Sequence, residues 1–559
     1  MNLKDIPQIY KNLSRTAEII AVLSRYGLAE WLDRLGIDLS ILPFPNKEKI
    51  NDLTTKTFGE RLRLALAELG PSFIKLGQIL STRADLVAPE VLEELRKLQS
   101  NANVDPSDWV KEHVESALGS DKMQHFSDFS YQAFASASIG QVHDAVLSDG
   151  TPVVVKVRHK NIVKVINKDL EIVLALANLA SKSPELAIYD PKGIAQEFAR
   201  TLRQELDFRR ELQNLKLFKA NFHSEDDVVV PETYEELSSE TLLTMEKING
   251  IGMEELSRLE DRAGYDLEHL AKRGAEIFLE MVFEHGLFHA DPHPGNFIIK
   301  SGNRIGLIDF GMVGYLDDDL REEIENMLVA LLHNDPDLLT SIILRLGNVP
   351  RDIDKAALKR DIREFVSFYG SLPISELPLA KTLEDLLAII RRHYISLPTQ
   401  VAMLIKVLIM LEGTSHLLNP NFSMMEILQP LQQRILMRRL SPERNLKKLR
   451  RFQDQIEHAM SKFPGQLMEI VDKVQKGDLE VGLNHTGLST SLNRLVLGLI
   501  ASALFLGGSF MLSVKVRPLL FQTEFYGFKD MSLFGIVVML YSFHLIFKLF
   551  RAIKRSGRL

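Results

Sequence analysis

The chain has 559 residues, enough for three or four domains of ordinary size. At 45% hydrophobic and 25% charged it has a folded globular composition, which excludes a wholly disordered or fibrous chain. Acidic residues outnumber basic ones, 74 to 67, and the net charge of −7 argues against a nucleic-acid partner, while the lack of cysteine excludes disulfides, thiolate zinc sites and cysteine nucleophiles and fits a reducing compartment.

Residues 1 to about 125 read as helices. Lys4, Asp5, Lys11, Arg15 and Glu18 interrupt the first apolar residues, so no signal peptide is expected. The stripe from Ile9 to Ile20 has helical spacing and suits either packing on the body or a membrane surface. Gly70-Pro71 breaks the chain, and Pro71 is placed to open a helix. Lys75, Gln78 and Thr82 then share one face, with Arg83 and Asp85 closing the helix and Pro89 starting the next.

From about residue 128 the period changes. Val142 to Leu147, Ser148-Asp149-Gly150 and Pro152 to Val157 read as strand, turn and strand. Lys156 lies inside Val153-Val154-Val155-Lys156-Val157, and a lysine in so apolar a strand needs a partner. A single long helix is expected from about Lys192 to Asn221, carrying Glu205, Asp207 and Glu211. Strands are expected at Val228 to Val230 and Thr241 to Met245, and mainly helix from 251 to about 425.

Within that helical stretch, His289-Ala290-Asp291-Pro292-His293-Pro294-Gly295-Asn296 cannot be a regular helix. It reads as a loop between a helix and a hairpin, displaying Asp291, His293 and Asn296. Asp309-Phe310-Gly311 follows the apolar run Ile305 to Ile308. Two aspartates and an asparagine on adjacent turns suit Mg²⁺, which takes hard oxygen ligands and leaves room for phosphates. His285 and His289 are spaced like a metal pair but lack a third ligand, so a structural placement is expected, and Met403 and Met410 are expected in the core.

Arg434 to Arg451 holds eight basic residues against Glu443, a cluster suited to anionic lipid head groups or to a solvated helix face. Leu495 to Val514 is an uncharged run of 20 residues, and Met531 to Phe547 is a second of 17. About 17–25 apolar residues span a bilayer as a helix, so a membrane hairpin is expected; the bland alternative is a buried hairpin. The tail carries Lys548, Arg551, Lys554, Arg555 and Arg558 against three basic residues between the runs, which places tail and N-terminal body in the cytoplasm. Ala503 to Gly507 has the small-xxx-small spacing of close helix packing, within one chain or in a homodimer.

Lys156, Glu211, Asp291, Asn296 and Asp309 stand in the order of the strand lysine, helix glutamate, catalytic-loop and Asp-Phe-Gly residues of protein kinases. Lys75-Leu76-Gly77-Gln78, the alanine-rich Ala135-Ser136-Ala137-Ser138-Ile139-Gly140, Glu205-Leu206-Asp207 and the late stretch Leu397-Pro398, Lys406 and Glu412-Gly413 resemble more narrowly the motifs of the UbiB family of atypical kinase-like proteins, bacterial members of which commonly carry two C-terminal spans. The resemblance implies an α+β, two-lobed kinase-like fold: helical extension 1–125, N-lobe 126–250, C-lobe 251–425, basic segment 426–493 and transmembrane hairpin 494–550. It implies that Lys156, positioned by Glu211, holds the nucleotide phosphates under the loop Ala135, Ser136, Ala137, Ser138 and Gly140. Asn296 and Asp309 would hold Mg²⁺, and Asp291 would orient the attacking group, with ATP or ADP as the nucleotide. Lys75, Gln78, Glu205, Asp207 and His293 are carried over as family-motif residues. On one continuous helix Glu205 points about 200° from Asp207, so Lys75 is its expected partner.

The departures from protein kinases narrow the activity. Alanines replace the glycines of the phosphate loop and stiffen it. Ala290 and His293 stand where an arginine and a lysine are usual, and no Ala-Pro-Glu segment follows Asp309. The expected function is a Mg²⁺-dependent ATPase in the inner (cytoplasmic) membrane, transferring phosphoryl to water in support of ubiquinone or another isoprenoid quinone. Its expected partners are anionic lipids and quinone precursors or their biosynthetic enzymes. The alternatives are a small-molecule or lipid kinase, a protein kinase and a scaffold without turnover.

Overall fold

A computed structural model describes residues 12–28, 56–98, 103–259, 264–350, 352–373, 377–430, 488–520 and 530–555. The basic cluster Arg434 to Arg451 lies outside them. The chain divides into two units, Met1–Ser441 and Pro442–Leu559.

The first unit begins with α1 (Leu13–Arg25), α2 (Phe58–Leu69), α3 (Pro71–Leu80) and α4 (Pro89–Arg96). Thr57 and Glu60 form a reciprocal capping box that starts α2. Gly70, at φ 94°, turns the chain into α3, with Pro71 at its first position. Ile19, Val22, Leu66, Phe73 and Leu95 form one core with Ile172. The described part of the N-terminal stripe therefore packs on the body, and Ile9 lies outside the described residues. Gly77 is fixed by the same packing, since a Cβ there would stand 2.2 Å from Leu98 Cδ1. Thr82 lies beyond the end of α3, so only Lys75 and Gln78 of the predicted face are helical.

Next come α5 (Ser107–Leu118), β1 (Phe126–Phe129), β2 (Ala135–Ser136), β3 (Gly140–Leu147), β4 (Pro152–Arg158) and α6 (Ile162–Ala180). With β6 (Leu242–Glu246) the strands make an antiparallel sheet of order β1-β3-β4-β6, with β2 on β3. Alternation along β4 sends Val153, Val155 and Val157 into a core with Val110 and Val114 of α5. Val154 and Lys156 face the other way.

The long helix predicted over Lys192 to Asn221 is two helices, α7 (Pro191–Glu205) and α8 (Phe208–Asn221). Asp207 is extended and caps α8 by accepting from the Arg209 N–H. The phase argument that set Glu205 about 200° from Asp207 fails, because a capping residue is not in helical phase.

The C-lobe adds β5 (Val228–Val229), β7 (Ile251–Gly252), α9 (Leu267–Glu280), β8 (Leu287–His289), β9 (Phe297–Lys300), β10 (Arg304–Leu307) and β11 (Val313–Tyr315). A small sheet of order β5-β10-β9-β7 and the pair β8-β11 sit within this mainly helical stretch. Five helices follow: α10 (Asp318–Leu332), α11 (Pro336–Leu346), α12 (Lys355–Tyr369), α13 (Leu379–Arg392) and α14 (Thr399–Leu418). By length and composition α14 could cross a membrane, but 67% of it is buried within the fold.

The second unit holds α15 (Leu488–Ser513) and α16 (Leu533–Arg555), joined near a short strand pair Leu519–Leu520 and Met531–Ser532. They run antiparallel: Gly508 meets the Gly535 carbonyl, and the Ser542 hydroxyl donates to the Ala501 carbonyl at 2.8 Å. Only 11% of each apolar window is buried, and Leu499, Leu506, Phe510, Leu540 and Phe547 point outward. By length and composition both helices could cross a membrane, and the hairpin is apolar on its outside.

Candidate active site

Lys156 leaves β4 toward α8 and meets Glu211 with both carboxylate oxygens, at 2.8 and 3.0 Å. Asp309 Oδ1 stands 3.5 Å from the same ammonium. Burial alone pushes Lys156 down, but Asp309 and Glu211 together more than offset it and hold it above its ordinary value. Asp309 in turn is held far below the usual carboxylate range by Lys156, with a further hydrogen bond from the Gly311 N–H at 3.0 Å. Its side chain remains half exposed to the cavity. Phe310 is fully buried against Phe218 and His289, and its carbonyl accepts from Asn214 at 3.0 Å, which locks the Asp-Phe-Gly turn to α8.

His289 ties that turn to the loop before it. Its Nδ1 accepts from the Asp291 N–H at 3.2 Å, and its Nε2–H donates to the Asp309 carbonyl. These partners fix a neutral imidazole, and burial pushes its pKa down accordingly. The histidine is a brace between the two acidic residues. His293 Nδ1 accepts from the Gly295 N–H at 3.1 Å and caps the turn Pro294–Asn296. Asn296 gives its amide N–H to the Asp291 carbonyl at 3.0 Å, which leaves its amide oxygen free to serve a ligand. The Asp309 carboxylate and this oxygen are hard donors of the kind Mg²⁺ prefers.

These groups line a cavity of about 620 Å³. Ala137, Ser138 and Gly140 border it; Ala135 and Ser136 are paired in β2 and do not. The loop is tied down: Ala137 N–H donates to the Gly140 carbonyl at 2.8 Å, and His159 Nε2 donates to the Ala137 carbonyl at 2.9 Å. Gly140 is required by close approach, as a Cβ would lie 2.6 Å from the Val157 carbonyl oxygen. From the extension, Lys75 pairs with Glu205 at 2.8 Å, and Gln78 also lines the cavity. Burial pushes the Glu205 carboxyl up, against the pull of Lys75. Asp207 stays outside, paired with Arg209 at 2.8 Å.

The sequence matches the profile of the ABC1 atypical kinase-like domain over residues 97–342, of the UbiB helical domain over 362–423 and of the ABC1/UbiB kinase-like C-terminal domain over 485–555. A Xylella fastidiosa protein named "Probable protein kinase UbiB" is 33% identical over 80% of this chain and 83% of its own. The chain belongs to the UbiB family of atypical kinase-like proteins. A Histophilus somni protein of the same name is 34% identical over 85% of this chain and 88% of its own. A Clostridium pasteurianum protein named "Uncharacterized protein in hydrogenase 1 5'region" is 31% identical over 98% and 99%. Among solved structures, a Mycobacterium tuberculosis protein in complex with erythromycin aligns at a TM-score of 0.41 and 24% identity, over 64% of this chain and 97% of that one.

In this UbiB-family chain the cavity gathers Lys75, Gln78, Ala137, Ser138, Gly140, Lys156, Glu205, Glu211, Asp291, His293, Asn296 and Asp309 of the expected residues and leaves out Ala135, Ser136 and Asp207. Lys406 and Met410 of α14 line it as well. Met410 is thus a wall of the site as well as part of a buried helix, a correction to its expected place in the core. Lys406 belongs to the late stretch that resembles the family, but no local pattern in an apolar helix placed it or Met410 at the cavity.

Proposed function

We propose that this UbiB-family chain is a membrane-anchored, Mg²⁺-dependent ATPase that supports isoprenoid-quinone biosynthesis, ubiquinone being the expected class. The carrying observation is one cavity that joins the Lys156–Glu211–Asp309 cluster to Asp291 and Asn296, while Lys75 and Gln78 of the extension line it too. Lys156 binds the nucleotide phosphates, oriented by Glu211. Asp309 and Asn296 hold the Mg²⁺, which neutralises phosphate charge when bound. Asp291 orients a water for in-line attack. Such catalysis is mainly positioning and charge neutralisation, and these residue types supply both. The Lys75–Glu205 pair and the helix beneath it line the wall where a peptide substrate would need space, which supports water as acceptor over a protein. The apolar outside of the α15–α16 hairpin and the basic tail support anchoring in the inner membrane with the kinase-like body in the cytoplasm, attended by anionic lipids and quinone precursors or their enzymes.

The test is phosphate release from ATP by the full-length protein, with and without anionic lipid vesicles, beside Asp309→Asn. Lipid-stimulated release, reduced at least about a hundredfold by the substitution, is expected. ATP binding without release in either protein would sink the ATPase reading, and a phosphorylated species in a lipid extract would replace it with a lipid kinase.

A further inference from the structure

The cations of the cavity are not equally engaged. Lys156 is held by Glu211 and Asp309, Lys75 by Glu205, and Arg96 at the rim is exposed to solvent. Lys406 is different. Its side chain is only 9% exposed, yet its sole ionic contact is Asp291 Oδ1 at 3.9 Å, beyond hydrogen-bond distance. Among the described residues no acceptor meets its three N–H donors, although it lines the cavity. The nitrogen opens on the cavity, and an ammonium so enclosed gains most where a ligand there supplies acceptors.

Its position is fixed by the fold. Glu412, two turns along α14, accepts from the backbone N–H groups of Leu379 and Ala380 at 3.3 and 2.6 Å and so holds the start of α13. The Thr414 hydroxyl donates to the Pro292 carbonyl at 3.2 Å, inside the loop that carries Asp291. Helix and loop are thereby joined, and the ammonium is presented beside the carboxylate that faces the attacking group. His293 is turned to another task, its Nδ1 capping the turn Pro294–Asn296.

We infer that Lys406 binds the terminal phosphoryl group of a nucleoside triphosphate, donating to its oxygens from the side of Asp291 and opposite Lys156. The inference rests on the nucleotide reading above and deepens it. In the transfer, a water oxygen bonds to the terminal phosphorus as the bond to the bridging oxygen breaks. The electron pair leaves with the diphosphate, and Asp291 takes the water proton. Lys406 keeps its own protons and stabilises charge on the transferring oxygens. Burial, which pushes the ammonium down against the pull of Asp291, makes an anionic ligand the more favourable partner.

The experiment compares Mg-ATP with Mg-ADP, since only ATP has the terminal group. Affinities of the full-length protein in detergent are measured by displacement of a fluorescent nucleotide, with phosphate release alongside, for wild type, Lys406→Met and Lys406→Arg. Lys406→Met is expected to weaken ATP about tenfold more than ADP and to lower kcat, and Lys406→Arg to recover part of the difference. Equal losses for both nucleotides, or no loss, would overturn the assignment. Should the methionine variant not fold, Lys406→Gln carries the same comparison. A wild type that binds both nucleotides but releases no phosphate sinks the ATPase reading and leaves the ATP-to-ADP ratio to decide on Lys406. A wild type that binds neither overturns both.

Discussion

Two buried histidines, His289 and His143, act as neutral braces. His143 of β3 is fully buried, its Nδ1–H donating to the Ser130 carbonyl at 2.9 Å and its Nε2 accepting from Gln141 at 2.9 Å. Gln141 in turn accepts from the Asp105 N–H at 2.7 Å, so the chain entering the sheet hangs on this relay. Burial pushes the His143 pKa down. The unfolded chain takes up a proton near pH 6.5, while the folded one resists it to lower pH. Stability from this residue is therefore complete above about pH 6.5 and is lost as pH falls toward the folded value. His143→Gln is expected to cost about 1–3 kcal/mol at pH 7, from the disrupted buried relay, and to unfold with a shallower pH dependence between pH 7 and 5. Thermal melts across that range check this; parallel curves for variant and wild type would exclude the linkage.

At the scale of elements, the junction of α3 with α7 carries the family's most distinctive residues. The Lys75–Glu205 pair is nearly buried, with side chains 11% and 9% exposed. Removing one partner leaves an uncompensated charge, at a cost of about 3–5 kcal/mol. Lys75→Glu or Glu205→Lys alone is expected to lower the melting temperature and blunt the nucleotide response. The double reversal should regain a good part of both, read as the interaction term of a double-mutant cycle. An interaction term of zero would mean the two helices are held by packing alone. This pairing was expected from the sequence because Glu205 would point away from Asp207 on one continuous helix. Its supporting argument was not sound, since α7 stops at Glu205. The signal for that stop was present: Asp207 is a favourable N-cap, and it precedes a helical run with Glu211 in its first turn. Lys156, Asp291, Asn296 and Asp309 were legible because each sits in a short segment whose local chemistry is unusual. Lys406 was marked only by the family resemblance of its stretch; its place at the cavity was not legible, because only the fold brings α14 to the loop that carries Asp291.

Across the whole first unit, the N-terminal extension works as a strut between lobes. On one side α3 packs with Ile172 of α6 and reaches Glu205 of α7. On the other, Arg83 and Asp85 form a buried bidentate pair at 2.9 and 2.7 Å. Arg83 also donates to the Ser396 hydroxyl at 3.0 Å, a residue 313 positions away, and the Leu397 N–H donates to Asp85 at 3.0 Å. Arg391 adds bonds to the carbonyls of Ala84 and Val87 at 2.8 and 3.1 Å. The sequence marked Arg83 and Asp85 only as a helix end; their partners are too distant in the chain for any periodicity to reveal. One short segment thus touches both lobes through charged groups that exclude water. A hinge between the lobes must break these contacts or move with them. Arg83→Met is expected to leave Asp85 buried and unpaired, lowering stability by about 3–5 kcal/mol. Hydrogen exchange should rise together at residues 83–88 and 396–397, and bound nucleotide should dissociate faster as the cleft loosens. If exchange rises only around residue 83 and the nucleotide off-rate is unchanged, the extension is packed on the C-lobe without restraining the cleft.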